Sequence, residues 1–499
     1  MLTTTNSDST ARPMPGMLPP RHRLGNASLA VVIVLILAAA TLLVAAPLAR
    51  EVVGLLVIAL LILLMLAGLP VAFAMLLSGL LGLTRLGGLH VIDATFEENI
   101  YTATASWQLS VLPLFILMGI AMWRSGLTDG AFEAARQWVG KLPGGLAIGT
   151  NFAGAGLAAA SGSTMGISYA LGRIAIPEML RAGYAPSIAT GVVAMAGTLG
   201  QLIPPSVILV IYAGIAETPV GPQLLAAIIP ALIVAAGYAV MLFVRAVVNS
   251  RTMPRAEIID VTWRSRYASL LGLVPIVVII VVVIGGMFSG VFTPTEAGAF
   301  GALTAILAGW LLTGKVSRRP RAFLAFLKKS LLDTVVATSA IFLLLIGVEV
   351  LTRVMTLSRF ANGLADMVVG LGLDRVSFLL ILIPAFLVLG MFMDTMAMML
   401  ITFPVLAAPL AALDVDLLWF GVFIVMLAEI ALVTPPIGIL SFVVHRLAQL
   451  REVNVGHTVT LIDVFKGVSW FIVVSLVVLV LMIFFPELAT WLPGLSATG

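Results

Sequence analysis

Apolar residues run in blocks of membrane-spanning length along nearly the whole chain, with short polar stretches between them. Blocks of this length are read as helices that cross a bilayer. Full spans are predicted near 29–48, 52–67, 70–87, 107–123, 187–216, 223–245, 269–289, 294–313, 332–352, 417–446 and 466–485. Two of them carry a double proline, L-I-P-P-S at Leu202 to Ser206 and V-T-P-P-I-G at Val433 to Gly438. Proline removes a backbone donor and clashes with the preceding turn, so both spans should be helices interrupted near their middle. Unwound backbone at bilayer depth survives only against protein or a watery cavity. Paired broken helices in two halves of one chain point to the binding site of a secondary transporter. Two further apolar segments, Leu146 to Leu180 and Ser377 to Leu410, are too long for one crossing and hold Gly, Ser or Pro near their centres. They predict re-entrant hairpins that enter the bilayer and return to the same side. The expected fold is an all-α polytopic membrane protein with two hairpins and two broken helices.

Of the 499 residues, 61% are hydrophobic and 10% charged, which excludes an ordinary soluble protein. Without cysteine there is no disulfide, thiolate metal site or thiol nucleophile. His22, His90, His445 and His457 are scattered and form no ligand cluster. The net charge of +4 does not suggest nucleic acid, because cytoplasmic loops of membrane proteins retain Lys and Arg. With the N-terminus inside and eleven crossings, inner loops hold 21 of the 27 basic residues. Arg173 lies within a hairpin, and the outer loops hold Asp93, Glu97, Glu98, Glu217, Asp414 and Asp416.

Residues 1–27 are polar, rich in Pro, Ser and Thr, and expected to be disordered on the cytoplasmic side. The apolar run that follows has Arg21 and Arg23 before it and V-A-A at 44–46 after it, as a signal peptide would. Its length favours an uncleaved extra helix over 28–50. The basic stretch from Lys315 to Lys329, with Phe323, Leu324, Phe326 and Leu327 interleaved, predicts an amphipathic helix on the inner surface.

The halves repeat. The first repeat covers 51–245 and the second 269–487, with a cytoplasmic linker at 246–268 and a tail at 488–499. Pro70 parallels Pro294, the 107–141 region parallels 335–370, and S-G-S-T-M at 161–165 parallels M-D-T-M at 393–396. Pro177 parallels Pro404, and Pro204-Pro205 parallels Pro435-Pro436. By the charge pattern the first hairpin enters from inside and the second from outside. The repeats are therefore inverted about an axis in the membrane plane.

A cation inside a bilayer needs oxygen ligands. Sodium suits hydroxyls, carbonyls and a carboxylate, and broken helices and hairpin tips expose such oxygens. One candidate sodium site is Ser161, Gly162, Ser163 and Thr164 opposite Gly197, Gly200 and Ser206. The second is Gly390, Asp394 and Thr395 opposite Thr434 and Gly438. Asp394 is a functional candidate as an intramembrane carboxylate, with a hydrogen bond to its own hairpin backbone as the structural alternative. For Ser and Thr at the first tip the alternative is helix capping. Candidate contacts for an anionic substrate are Ser163, Pro204, Pro205, Ser206, Thr434 and Pro435, where helix N-termini favour negative charge. Arg173 either meets that anion or extends to the inner surface, and the second reading is preferred.

Among the remaining acids, Glu178 is expected to pair with Arg181 or Arg173. Glu429 either touches the broken helix or packs on a backbone donor, and Glu296 and Glu349 read as structural. The run G-W-L-L-T-G-K-V at 309–316 fails as a P-loop, since Val316 replaces the magnesium-binding hydroxyl and no strand precedes it. Neither ATP-driven transport by this chain alone nor membrane enzyme chemistry is supported.

Five ordered runs carry a family resemblance: S-G-S-T-M-G…I-P-E-M-L-R-A-G-Y at 161–184, G-T-L-G-Q-L-I-P-P-S at 197–206, G-V-F-T-P-T-E-A-G-A at 290–299, G-M-F-M-D-T-M-A-M at 390–398 and E-I-A-L-V-T-P-P-I-G at 429–438. Over about 52–487 the chain resembles the large membrane subunit of TRAP (tripartite ATP-independent periplasmic) transporters. The resemblance implies an elevator-type carrier driven by a sodium gradient, with Na+ as coupling ion, in a bacterial inner membrane. It also implies a small four-helix membrane subunit and a soluble periplasmic protein that delivers the substrate, commonly an organic acid. The family's ion sites lie at the hairpin tips and broken helices. A sodium/dicarboxylate symporter working alone is the competing reading. Arg173 departs from the small or neutral residue expected there, and the span at 29–48 is extra.

Overall fold

A computed structural model describes residues 26–101, 105–254, 262–312, 316 and 319–497. The segment expected to be disordered lies, up to residue 25, outside the described residues.

All regular elements among the described residues are helical. The chain opens with α1 (Asn26–Ala45), α2 (Arg50–Leu66) and α3 (Val71–Ala94). The first repeat continues through α4 (Val111–Ser125), α5 (Asp129–Val139), α6 (Gly145–Ser161), α7 (Thr164–Arg181), α8 (Pro186–Leu202), α9 (Val207–Ile215) and α10 (Val220–Val248). After α11 (Trp263–Leu271), the second repeat opens with α12 (Val274–Ile280), α13 (Pro294–Leu312) and α14 (Pro320–Ser358). It runs on through α15 (Phe360–Gly370), α16 (Arg375–Leu389), α17 (Thr395–Ala412), α18 (Leu417–Val433), α19 (Ile439–Ala448) and α20 (Leu461–Phe484), and α21 (Glu487–Ala497) closes the chain.

The order repeats element for element. A proline-started helix (α3, α13) leads to a long helix and a short one (α4–α5, α14–α15), a hairpin (α6–α7, α16–α17), a broken helix (α8–α9, α18–α19) and a long helix (α10, α20). The short helices α5 and α15 were not anticipated as separate elements. The bend between α4 and α5 is 72°, and Gly126, in the left-handed region at φ 77°, ends α4. The first broken helix bends by 44° between α8 and α9. Both double-proline breaks contain a cis peptide, Pro204-Pro205 and Pro435-Pro436.

Eleven full crossings were expected. Among the described residues, six helices are long and apolar enough to cross a membrane alone, or nine if each bent pair counts as one span. Part of the shortfall has a local cause. Helices α2 and α18 stop at 17 residues, about 26 Å, because Pro70 and Pro435 follow soon after.

The basic stretch from Lys315 to Lys329 also differs from expectation. Residues 313–315, 317 and 318 lie outside the described residues, and from Pro320 onward the stretch is the start of α14 and not a separate surface helix. Between Arg321 and Ile346 there is no Pro or Gly, so a change in polarity does not break the 39-residue helix, about 58 Å long. The segment read as a tail is helical as α21, which packs on α10.

Small residues set the helix crossings, as close packing inside a membrane requires. A Cβ on Gly79 would fall 2.5 Å from Val350, and one on Gly191 would fall 2.5 Å from the backbone of Gly467. These close approaches seat α3 on α14 and α8 on α20. The Arg124 guanidinium on α4 pairs with Asp333 on α14, tying one repeat to the other. The extra helix α1 packs on α2 and α3, and Arg85 Nη2 donates to Ala46 O at 2.9 Å.

Candidate functional site

Each hairpin tip is built from a few local signals. In the first, α6 ends at Ser161 and Gly162 takes the left-handed conformation, φ 55°, which suits glycine. Ser163 then turns extended and caps α7, its Oγ accepting from Gly166 N at 3.2 Å. In the second, Asp394 caps α17 and accepts from Ala397 N at 2.8 Å. The two caps are 231 positions apart (394 minus 163), so the repeats place a cap at the same point. Capping satisfies helix-end donors that would otherwise be stranded. The structural alternatives weighed for Ser163 and Asp394 are therefore the bonds these side chains make.

The residue after each cap is a threonine, and the two threonines meet at one side chain. Thr164 Oγ1 donates to Glu429 Oε2 at 2.8 Å, and Thr395 Oγ1 donates to Glu429 Oε1 at 2.7 Å. All three residues are buried, Glu429 with 3% exposure. Glu429 lies on α18, just ahead of the second break. Sequence reasoning assigned it only a local contact. The rule that makes an intramembrane carboxylate a functional candidate applied to Glu429 as well as Asp394, but nothing in the linear order showed that it lies between both tips.

The first candidate sodium cluster comes together around Gly197 and Gly200 on α8. A Cβ on Gly197 would fall 1.9 Å from Ser168 Oγ and 3.0 Å from Thr164 O, and one on Gly200 would fall 2.4 Å from Ile167 Cδ1. The ideal Cβ position of Gly162 lies 3.8 Å from Pro205 O, which places the tip against the first double-proline break. Ser168 Oγ and Gln201 Oε1 are buried without a partner among the described residues. Unpartnered buried oxygen beside a backbone carbonyl fits a hard cation that takes hydroxyl and carbonyl ligands. The side chain of Ser161 lies outside the described residues.

In the second cluster, Gly390 brings α16 onto α18, since a Cβ there would fall 2.3 Å from Ala431 Cβ. Thr395 is at the junction, while Thr434 Oγ1 turns back to Ile430 O at 2.7 Å. Gly438, at φ 38°, starts α19 with its ideal Cβ position 2.8 Å from Val433 O. Ser206 likewise donates to Gln201 O at 2.5 Å, and Ser441, which was not anticipated, donates to Val433 O at 3.0 Å. These hydroxyls satisfy carbonyls freed by the breaks. Pro204, Pro205 and Pro435 form the breaks themselves.

Arg173 does not join the site. It pairs with Glu452 at 2.5 Å and lies over the Tyr169 ring at 5.8 Å. It is nine residues beyond Thr164 on α7, about 13 Å along the helix, so an anion at the tips is out of its reach. Glu178 forms the expected ion pair with neither Arg173, which is taken by Glu452, nor Arg181 among the described residues. Glu296 accepts from Thr293 N at 2.8 Å and caps α13, as a structural acid would.

Two hairpins and two interrupted helices, brought together by a sequence repeat, define a helical membrane carrier of the inverted-repeat class. Residues 58–488 match the family described as the tripartite ATP-independent periplasmic transporter, DctM component. The chain belongs to that family, as one membrane component of a tripartite system. It is 31% identical over 397 residues to the C4-dicarboxylate TRAP transporter large permease protein DctM of Pseudomonas aeruginosa, covering 79% of this chain and 88% of that one. It is 30% identical over 436 residues to the sialic acid TRAP transporter large permease protein SiaM of Vibrio cholerae, covering 87% and 96%. The crystal structure of the Alcanivorax borkumensis YdaH transporter shares the fold, with a TM-score of 0.60 at 15% identity over 88% of this chain and 98% of that one.

Proposed function

We propose that this chain carries an organic acid anion across the bacterial inner membrane, driven by a sodium gradient. A periplasmic binding protein delivers the anion, and a smaller four-helix membrane subunit completes the carrier. The C4-dicarboxylate and sialic acid named for the two relatives are both carboxylates, which supports that substrate class. The observation that carries the reading is the pair of capped hairpin tips closing on one carboxylate, Thr164 and Thr395 on Glu429. In this reading sodium takes hydroxyl and carbonyl oxygens beside the tips, the clusters of Thr164, Gly197 and Gly200 and of Asp394 and Thr395. The substrate carboxylate then meets the helix N-termini there. The hairpins and broken helices, roughly 107–245 and 335–450 without the outer arms, slide as one body against a scaffold of the remaining spans. The N-terminus is cytoplasmic and the C-terminus periplasmic, as the loop charges favour.

The test is uptake by proteoliposomes that hold this chain with its small subunit. An inward sodium gradient is imposed or omitted, and the cognate periplasmic protein is added last. Uptake that needs both sodium and that protein supports the proposal. Sodium-driven uptake without it would make the chain a free-standing symporter, and uptake indifferent to sodium would remove the ion sites.

A further inference from the structure

The repeats bring duplicate parts to the junction, yet they share one carboxylate. Thr164 and Thr395 hold equivalent places in the two repeats. The position equivalent to Glu429 in the first repeat is Thr198 (429 minus 231), whose Oγ1 donates to Met195 O within its own helix at 2.7 Å. Glu429 is therefore a single part that serves both tips. It lies at 3% exposure on α18, a helix on which every residue from Trp419 to Val433 is buried. A carboxylate in such surroundings holds its hydroxyl donors strongly, because water does not compete for them. If one tip lifts away, the freed oxygen is left without a partner, an expensive state for a buried acceptor. The carboxylate must then turn or draw in water, which disturbs its other bond.

We propose that Glu429 is a positioning residue that ties the two hairpin tips into one cooperative element, so that neither tip leaves the junction without loosening the other. In a carrier, this makes a change at one repeat felt at the other and disfavours movement with only one tip arranged. The tie is made of side chains alone and holds whether or not sodium is the coupling ion.

Hydrogen exchange tests it on the full-length chain in lipid nanodiscs, in potassium buffer, so that sodium binding plays no part. The informative amides are those of the first turns, Gly166 and Ile167 at one tip and Ala397 and Met398 at the other. Thr164→Val should speed exchange at Ala397 and Met398 about fivefold or more, the range of ordinary site-to-site coupling. Thr395→Val should do the same at Gly166 and Ile167. Both distant effects should vanish in a Glu429→Leu background. They should return in a Glu429→Gln background, because an amide accepts from one threonine and donates to the other. A merely structural acid would loosen its surroundings without this cross-talk. The proposal is overturned if each threonine substitution affects only its own tip, or if the distant effect persists in the Glu429→Leu background. Should that variant fold poorly, the single threonine variants decide the matter alone.

Discussion

Gly197 marks the closest approach of α7 and α8, and adding one methyl there tests the packing that brings the first tip to the broken helix. An alanine Cβ would fall 1.9 Å from Ser168 Oγ and 3.0 Å from Thr164 O, against an ordinary contact of about 3.5–4.0 Å. Ser168 is fully buried and the Thr164 carbonyl is backbone, so relief needs Ser168 to turn and the helices to part. Overpacking of this kind costs about 1–3 kcal/mol. Alanine recovers roughly 1 kcal/mol of helix propensity over glycine, so the net loss is about 0–2 kcal/mol. The shift falls directly on Thr164, so the sodium dependence of uptake should suffer more than stability does.

Ser168→Ala removes the 1.9 Å clash. It costs little by itself, because that hydroxyl has no partner among the described residues. Combined with Gly197→Ala it should restore most of the loss, a coupling of about 1–2 kcal/mol. Thermal unfolding of the four proteins in detergent provides the readout, since Ser168 Oγ is itself a candidate sodium oxygen and the sodium midpoint of its variants would not report packing alone. Additive effects on melting, or a Gly197→Ala protein unchanged in the sodium midpoint of uptake as well as in stability, would refute the close approach.

Asp394→Ala should lose the cap of α17, at about 1 kcal/mol, and weaken sodium-dependent uptake without abolishing folding. Normal sodium dependence would remove Asp394 from the second cluster. Arg173→Ala should leave the KM for substrate unchanged, since Arg173 is engaged with Glu452, and a large rise in KM would return it to the site. A charge swap, Arg124→Asp with Asp333→Arg, should recover the melting temperature lost in Arg124→Asp alone, a loss of about 1 kcal/mol or less for a partly exposed pair. Outside the spans, Asp374 caps α16 through Ser377 N at 3.2 Å, and its bonds to Ser377 hold its carboxyl below the ordinary value of 3.8. A depressed carboxylate stabilises the fold above its unfolded value, and that gain is lost as pH falls through the folded value. The melting difference between wild type and Asp374→Ala should thus be constant at neutral pH and shrink only below about pH 4, whereas a difference that shrinks near pH 6 would contradict the assignment.

Much of this architecture was written in local chemistry. Prolines at 204–205 and 435–436 break helices wherever they stand, because the missing donor and the ring clash are properties of the residue. The polar tips between apolar arms likewise announce hairpins, and Ser163 and Asp394 are caps by residue type and position. Local chemistry was a poorer guide where two backbone states have similar cost. The basic start of α14 looked like a helix of its own, yet polarity does not interrupt an α-helix that lacks Pro and Gly. The short helices α5 and α15 follow left-handed residues, Gly126 and Arg359, and pack on the hairpin arms α6 and α17.

The site divides in the same way. The paired tips, Ser163-Thr164 and Asp394-Thr395, could be drawn from the repeat, because equivalent sequence positions fold alike. Glu429 could not be paired with Thr164, 265 residues earlier, or with Thr395, 34 residues earlier, by any local rule. Nor could Arg173 be excluded until Glu452, 279 residues later, was found beside it. Contacts between elements far apart in sequence depend on how helices cross, which the small residues at the crossings permit and the whole assembly decides. The sequence alone therefore determined the parts and their order, and the tertiary structure decided that two separate tips close on one carboxylate.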